Sequence, residues 1–332
     1  MNAKNEFATL VQNYFSQYLI NQKRVSNRTV QSYRDTFCLL LKFAEENHIN
    51  SPSQLCLSDI NADFIVKFLS HLESKRNNSI ITRNIRLAAI RSFFRYAEFH
   101  QPEGLPEIQR ILSIPMKRHD QKLIGFLTKE EINAILSSID GNTWSGRRDH
   151  VLLTTLYNTG ARVSEIISVK RCDVRISDHI VILLHGKGRK ERSVPLWKST
   201  SKLINKWLKE IDSDPQTPLF PNHSGEVLTR AGVKDRLNVA VRNAIPNCNS
   251  LSHKKISPHV IRHTTAMHLL QSGIDLTVIA LWLGHENINT THKYMEADLE
   301  MKKKTLSALS DPNQKMKKQN LPDGLIKFLE GL

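Results

Sequence analysis

Six residues could carry chemistry together when read in chain order: Arg162, Lys187, His259, Arg262, His285 and Tyr294. They form a series of cations and imidazoles that ends in one phenol. A phosphodiester under attack gathers negative charge on its two non-bridging oxygens. A guanidinium suits these oxygens because its planar fork bonds two of them and keeps its charge. Tyrosine, with a reference pKa of about 10, is only ~0.1% phenolate at neutral pH. A site that uses it must take its proton and stabilise the charge on phosphorus. The set therefore points to phosphoryl transfer onto a tyrosine.

Each residue also has an ordinary structural use. Arg162 lies in Thr159-Gly160-Ala161-Arg162-Val163-Ser164-Glu165, after an apolar helix over 151–157, where it could simply pair with Glu165. Arg262 stands three residues after His259, on the same helix face. His259 and His263 are four apart, a zinc-ligand spacing, yet no Glu stands where H-E-x-x-H needs one. Arg262 would also set a cation beside the metal, so no metal is expected. Lys187, in Gly186-Lys187-Gly188, could be an exposed hairpin tip, and the segment is no Walker loop. His285 follows Leu283-Gly284, a helix-end signature, and Tyr294 beside Met295 could belong to a core.

The elements that must position these residues are mainly helical. Phe7, Leu10, Val11, Tyr14, Phe15, Tyr18 and Leu19 recur at three and four. Ser26 or Asn27 can cap a second helix with Val30, Tyr33, Phe37 and Leu40 on one face. A third helix follows Ser58-Asp59, and a fourth runs over about 79–99. On the fourth, Arg83, Arg86, Arg91 and Arg95 intrude among apolar residues, either lying along a polyanion or covering the core with their stems. Pro102, Gly104, Pro106 and Pro115 break the periodicity over 101–127, and Thr128-Lys129-Glu130-Glu131 is a capping box that starts a second domain. The period changes once, at 179–196. Ile180 to Leu184 reads as a strand, Gly186-Lys187-Gly188 as a turn and Arg192 to Pro195 as the return strand. Helices resume at 199–211 and 229–245.

The order, neighbours and spacing of the six residues resemble the catalytic half of the tyrosine recombinases, the integrase family that includes the Xer, Cre and lambda-integrase enzymes. The resemblance runs from about residue 7 to residue 310. It implies an N-terminal four-helix, SAM-like core-binding domain (1–110) that grips DNA, and a linker (111–127). Next comes an α+β catalytic domain (128–310), mostly helical with a small antiparallel sheet. The tail (311–332), with Leu325, Ile326, Phe328 and Leu329, could dock as a helix on a neighbouring protomer.

By the same resemblance, Tyr294 attacks the scissile phosphate and becomes linked to the 3′ end, while Arg162, Arg262 and His285 hold the non-bridging oxygens. Lys187 protonates the departing 5′ oxygen and His259 assists proton movement. One ester replaces another, so no cofactor is needed. Arg83, Arg86 and Arg91 are the expected DNA contacts of the first domain. The expected partners are a double-stranded DNA recombination site and a homo-tetramer on two duplexes, alone or with a partner recombinase. Two other functions share part of this pattern: a type IB topoisomerase-like relaxing enzyme, and a DNA-binding protein that has lost catalysis. Leu281-Trp282-Leu283-Gly284-His285 and the charged run 296–304 look more like integrases of transposons and other mobile elements than like chromosome-dimer resolvases.

Composition fits this reading. The chain has 47 Lys+Arg against 32 Asp+Glu, a formal charge of +15, which attracts polyanions. Residues 1–110 hold 14 Lys+Arg and 10 Asp+Glu, or +4, leaving +11 for the remainder. A 40% hydrophobic fraction argues against wholesale disorder. Cys38, Cys56, Cys172 and Cys248 lie far apart, which suits free thiols in a reducing compartment. No segment approaches the ~20 apolar residues of a membrane span. A cytoplasmic, nucleoid-associated protein is expected.

Overall fold

Polar caps set the starts of most helices. In the computed structural model, which describes residues 6–47, 55–119, 125–176, 179–186 and 190–284, the chain divides into two compact units, Met1–Lys122 and Leu123–Leu332. Lys187, His285, Tyr294, the charged helix expected after Tyr294 and the tail 311–332 lie outside the described residues.

The first unit contains α1 (Glu6–Asn13), α2 (Asn27–Glu46), α3 (Ala62–Ser74), α4 (Ile80–Ala97) and α5 (Leu105–Ser113). Ser26, Asn61 and Ser79 each accept a backbone N–H of the first turn of α2, α3 and α4, satisfying a donor the helix cannot satisfy itself. Phe93 of α4 centres an aromatic core, in edge contact with Phe7, Tyr14 and Phe37 at ring distances of 5.1–5.9 Å. Two features depart from the sequence reading. After Asn13 the first helix widens to a π-helix over Tyr14–Gln22, closed by Lys23 N–H donating to Tyr18 O, and this turns Tyr14 and Leu19 inward. The second departure is α5, a fifth helix where a structureless linker was expected. Pro106 lies in its first turn, where a missing N–H costs nothing, so the proline starts a helix rather than ending one. Ile108, Ile111 and Ile114 are buried in the core, so residues 111–114 are packed structure.

The second unit contains α6 (Lys129–Ser137), α7 (Trp144–Thr159), α8 (Val163–Ile167), β1 (Val174–Ile176), β2 (Ile180–His185), β3 (Glu191–Pro195), α9 (Lys198–Trp207), α10 (Arg230–Ala244), α11 (Pro258–Gln271) and α12 (Leu276–Leu283). The capping box is present: Thr128 Oγ1 accepts Glu131 N–H, and the Glu131 carboxylate accepts Thr128 N–H. β1, β2 and β3 form one antiparallel sheet in that order, with Val174 opposite Ile182 and His185 opposite Glu191. Ile180, Ile182 and Leu184 alternate onto its buried face. The sequence reading missed β1, whose three residues are too short to show a period of two.

α7 is the centre of this unit. Leu152, Leu153, Thr155 and Leu156 are buried, and α9 and α11 pack on it. Thr265 Oγ1 of α11 donates to Tyr157 O at 2.7 Å, which fastens α11 to the end of α7. No helix among the described residues is long and apolar enough to cross a membrane.

Candidate active site

The end of α7 builds the site. Gly160 closes the helix at φ +59, a left-handed conformation that glycine adopts without penalty. A Cβ there would come within 2.5 Å of Leu283 Cδ2, so the residue must also be bare to let α12 approach. The chain then turns through Ala161, and Arg162 stands at the mouth of α8 with a side chain 41% exposed. Glu165, one turn on and buried, reaches back to accept both Arg162 N–H at 2.9 Å and Arg162 Nη1 at 2.7 Å. The ordinary pairing that the sequence allowed for Arg162 is thus real, and it leaves the guanidinium partly open to solvent.

Arg262 projects from α11 and is almost fully buried. Its Nη1 donates to Gly160 O at 2.7 Å and its Nη2 to Leu283 O at 2.8 Å. Arg162 Nη2 donates to Gly284 O at 3.2 Å, and Arg192 Nε of β3 donates to Trp282 O at 2.9 Å. Three consecutive carbonyls at the end of α12 are therefore each taken by a different arginine. Those carbonyls lack partners inside the helix and sit at the negative end of its dipole, so they attract cations. The residue that follows them is His285.

Glu165 is the shared anion of this cluster. It also accepts Arg192 Nη2 at 2.7 Å and lies 4.0 Å from Arg262 Nη1. Burial alone would raise its pKa. The Arg192 hydrogen bond and the contacts from Arg162 outweigh burial and hold the carboxyl below its usual range, so it is ionised. The sequence showed Glu165 only as a partner for Arg162, and Arg192 looked like any strand residue; no periodicity marks either.

His259 sits on the exposed side of α11, three residues before Arg262. The surrounding protein first, then the cations of Arg262 and Arg162, push its pKa below the usual imidazole value. It is neutral near pH 7 and able to accept a proton. Among the described residues no cluster of three or more His, Cys, Asp or Glu is arranged to hold a metal.

Of the six sequence-predicted residues, the structure brings together Arg162, Arg262 and His259. Lys187 falls between Gly186 and Lys190, whose backbones close the hairpin through a 2.7 Å bond from Gly186 N–H to Lys190 O. The expected DNA contacts on α4 are turned inward. Arg83 donates to Pro115 O, Arg86 to Ser32 O and Thr36 Oγ1, and Arg91 to Ile114 O. Their hydrogen bonds go to the chain's own groups and tie α4 to α2 and to the segment after α5. Of the four arginines on that helix, only Arg95 is exposed.

The chain has known relatives. Residues 125–301 match the phage integrase family, and residues 12–101 match the phage integrase N-terminal SAM-like domain. The protein y4rC of Sinorhizobium fredii, named as an integrase/recombinase, is 45% identical over 332 residues and covers all of both chains. Tyrosine recombinase XerD of Listeria monocytogenes is 31% identical over 290 residues, 84% of this chain and 91% of XerD. The fold is shared with the Tn1549 transposon integrase solved with transposon right end DNA, at a TM-score of 0.69, 16% identity and coverage of 94% and 100%. The chain belongs to the phage integrase family and is a tyrosine-type, site-specific DNA recombinase.

Proposed function

We propose that Tyr294 is the nucleophile that opens the scissile phosphate of a double-stranded recombination site. The phenol oxygen bonds to phosphorus as the bond to the 5′ oxygen breaks, leaving the 3′ end on the protein. Arg162 and Arg262 take the non-bridging oxygens, with His285 as a further donor. Lys187 supplies the proton to the 5′ oxygen, and neutral His259 takes up the proton the phenol loses. The observation that supports this best is the convergence of Arg162 and Arg262, from separate elements, on adjacent carbonyls immediately before His285. Removing one such preorganised donor costs on the order of 10²–10³ in rate.

Four protomers act on two duplexes, and the substrate is a mobile-element end, in line with the integrase-like run from Leu281 to His285. Residues 1–110 grip the DNA. With Arg83, Arg86 and Arg91 committed to internal carbonyls, the phosphate contacts of that unit fall to exposed cations such as Arg24, Arg28, Lys75, Arg76 and Arg95.

The test is covalent trapping on nicked DNA. The wild-type chain should give a denaturation-resistant adduct, and Tyr294→Phe should bind the same DNA and give none. An adduct from the Phe variant would end this assignment. A two-site assay that yields relaxed circles without exchanged ends would replace recombination with topoisomerase-like relaxation.

A further inference from the structure

Arg192 takes no part in the reaction just described, yet it touches the same framework as the two phosphate-binding arginines. It lies on β3, five residues after Lys187, with a side chain 13% exposed. Its Nη2 donates to Glu165 and its Nε to Trp282 O. Its guanidinium also lies against Gly284, where a Cβ would meet Arg192 Nη1 at 2.8 Å and Cζ at 3.2 Å.

We propose that Arg192 is a positioning residue for the phosphate clamp. It fixes the carboxylate that aims Arg162 and the turn whose carbonyls hold Arg162 and Arg262. The proposal rests on the reading of those two arginines as phosphate ligands. Arg192 is itself too enclosed, and too fully engaged, to serve as a third one. The planar guanidinium holds its Nε and Nη2 donors in a fixed relation that matches the two acceptors, whereas the donors of a lysine diverge from a single nitrogen on a flexible stem. Without it, Trp282 O becomes an unpaired helix-end carbonyl and Glu165 loses its strongest cation.

A different role, closing the hairpin that carries Lys187, is already filled. β2 and β3 are paired from Val181–Pro195 to His185–Glu191. Gly186 N–H bonds Lys190 O, and the His185 ring bridges Asp173 and Glu191 at 3.0 Å each. The Arg192 backbone is one rung of that ladder, and its side chain instead joins the sheet to Glu165 of α8 and to Trp282 of α12.

The experiment compares Arg192→Gln and Arg192→Lys in the full chain on two substrates. One carries the ordinary scissile phosphodiester; the other carries a methylphosphonate there, which lacks the charge the clamp must hold. DNA affinity should stay near wild type. Adduct formation by Arg192→Gln on the phosphodiester should slow on the order of 10²-fold, the scale of a small misplacement of reacting groups. The deficit should shrink on the methylphosphonate, and Arg192→Lys should fall between Gln and wild type.

A wild-type rate in the folded Gln variant, or an equal deficit on both linkages, overturns the proposal. So does full recovery on a 5′-bridging phosphorothiolate, which would route the effect through Lys187. If Arg192→Gln does not fold, Arg192→Lys carries the same comparison. Arg162→Ala runs alongside. If it shows no relief on the methylphosphonate, or if wild type forms no adduct, the clamp reading itself fails. If those controls behave and Arg192 variants do not differ from wild type, only the positioning role falls.

Discussion

Glu165→Gln should destabilise the protein and disarm it together. The substitution keeps the shape of the side chain and removes the charge. Glu165 accepts from Arg162 N–H, Arg162 Nη1 and Arg192 Nη2, all within 2.9 Å, with Arg262 4.0 Å away. An amide offers one oxygen to these donors and points its NH₂ at another donor. Breaking a buried ion pair costs ~3–5 kcal/mol. The Arg162 share shrinks toward the ~0–1 kcal/mol of a surface pair, because that side chain is 41% exposed. Arg192, far more enclosed, carries most of the loss, so we expect about 3 kcal/mol. In a unit of this size that lowers Tm by roughly 6–12 °C. The pH dependence supplies a second check. The folded carboxyl titrates below its usual range, so its contribution is complete above the unfolded pKa and disappears as pH falls through the folded one. Circular-dichroism melts of both proteins should therefore differ at pH 7 and draw together below about pH 4. An unchanged melt at neutral pH, or a gap that persists in acid, would refute this account of the carboxylate.

Gly160→Ala places a Cβ at φ +59 and 2.5 Å from Leu283 Cδ2, so left-handed strain and overpacking together should cost about 2–4 kcal/mol, read from thermal melts. Adduct formation should fall with it, since Gly160 O holds Arg262; a stable and active variant would contradict that link. Lys187→Ala should slow cleavage far more than binding, because a leaving-group acid acts only in the transition state. A 5′-bridging phosphorothiolate should restore most of the rate, and no restoration would remove Lys187 from that role. The His185 pKa is raised chiefly by its hydrogen bond to Asp173, with Glu191 adding to it, so the clamp is fully made below the ordinary imidazole pKa and released as pH rises through the folded value. Exchange of β2–β3 amides, corrected for intrinsic rate, should step up above that range in wild type and lose the step in His185→Gln; identical profiles would dismiss the clamp.

Helix periodicity and capping residues made most of the architecture legible in advance. Ser26 and Thr128 each announce a helix start, because an N-cap is a local interaction written in adjacent residues. The unbroken apolar run Ile180 to Leu184, followed by Gly186-Lys187-Gly188, announced β2. Pro106 misled because a proline reads as a breaker unless its place in the first turn is known. The chemical residues could be picked out because their types are restricted by the chemistry. Their supports could not. Glu165 and Arg192 are 27 positions apart and meet only through the fold. The inward turn of Arg83, Arg86 and Arg91 depends on carbonyls of Pro115, Ser32 and Ile114, and no side-chain pattern reveals a carbonyl.

The three carbonyls at the end of α12 belong to peptide groups, so no exchange of side chains at Trp282 or Leu283 deletes an acceptor. Changes of length act differently. One residue inserted within α12 rotates everything beyond it by about 100° and shifts it by ~1.5 Å, turning all three oxygens away from their arginines at once. A proline can likewise break the backbone that presents them. An alanine scan of α12 would pass over these contacts almost silently, while a single-codon insertion there would empty all three together.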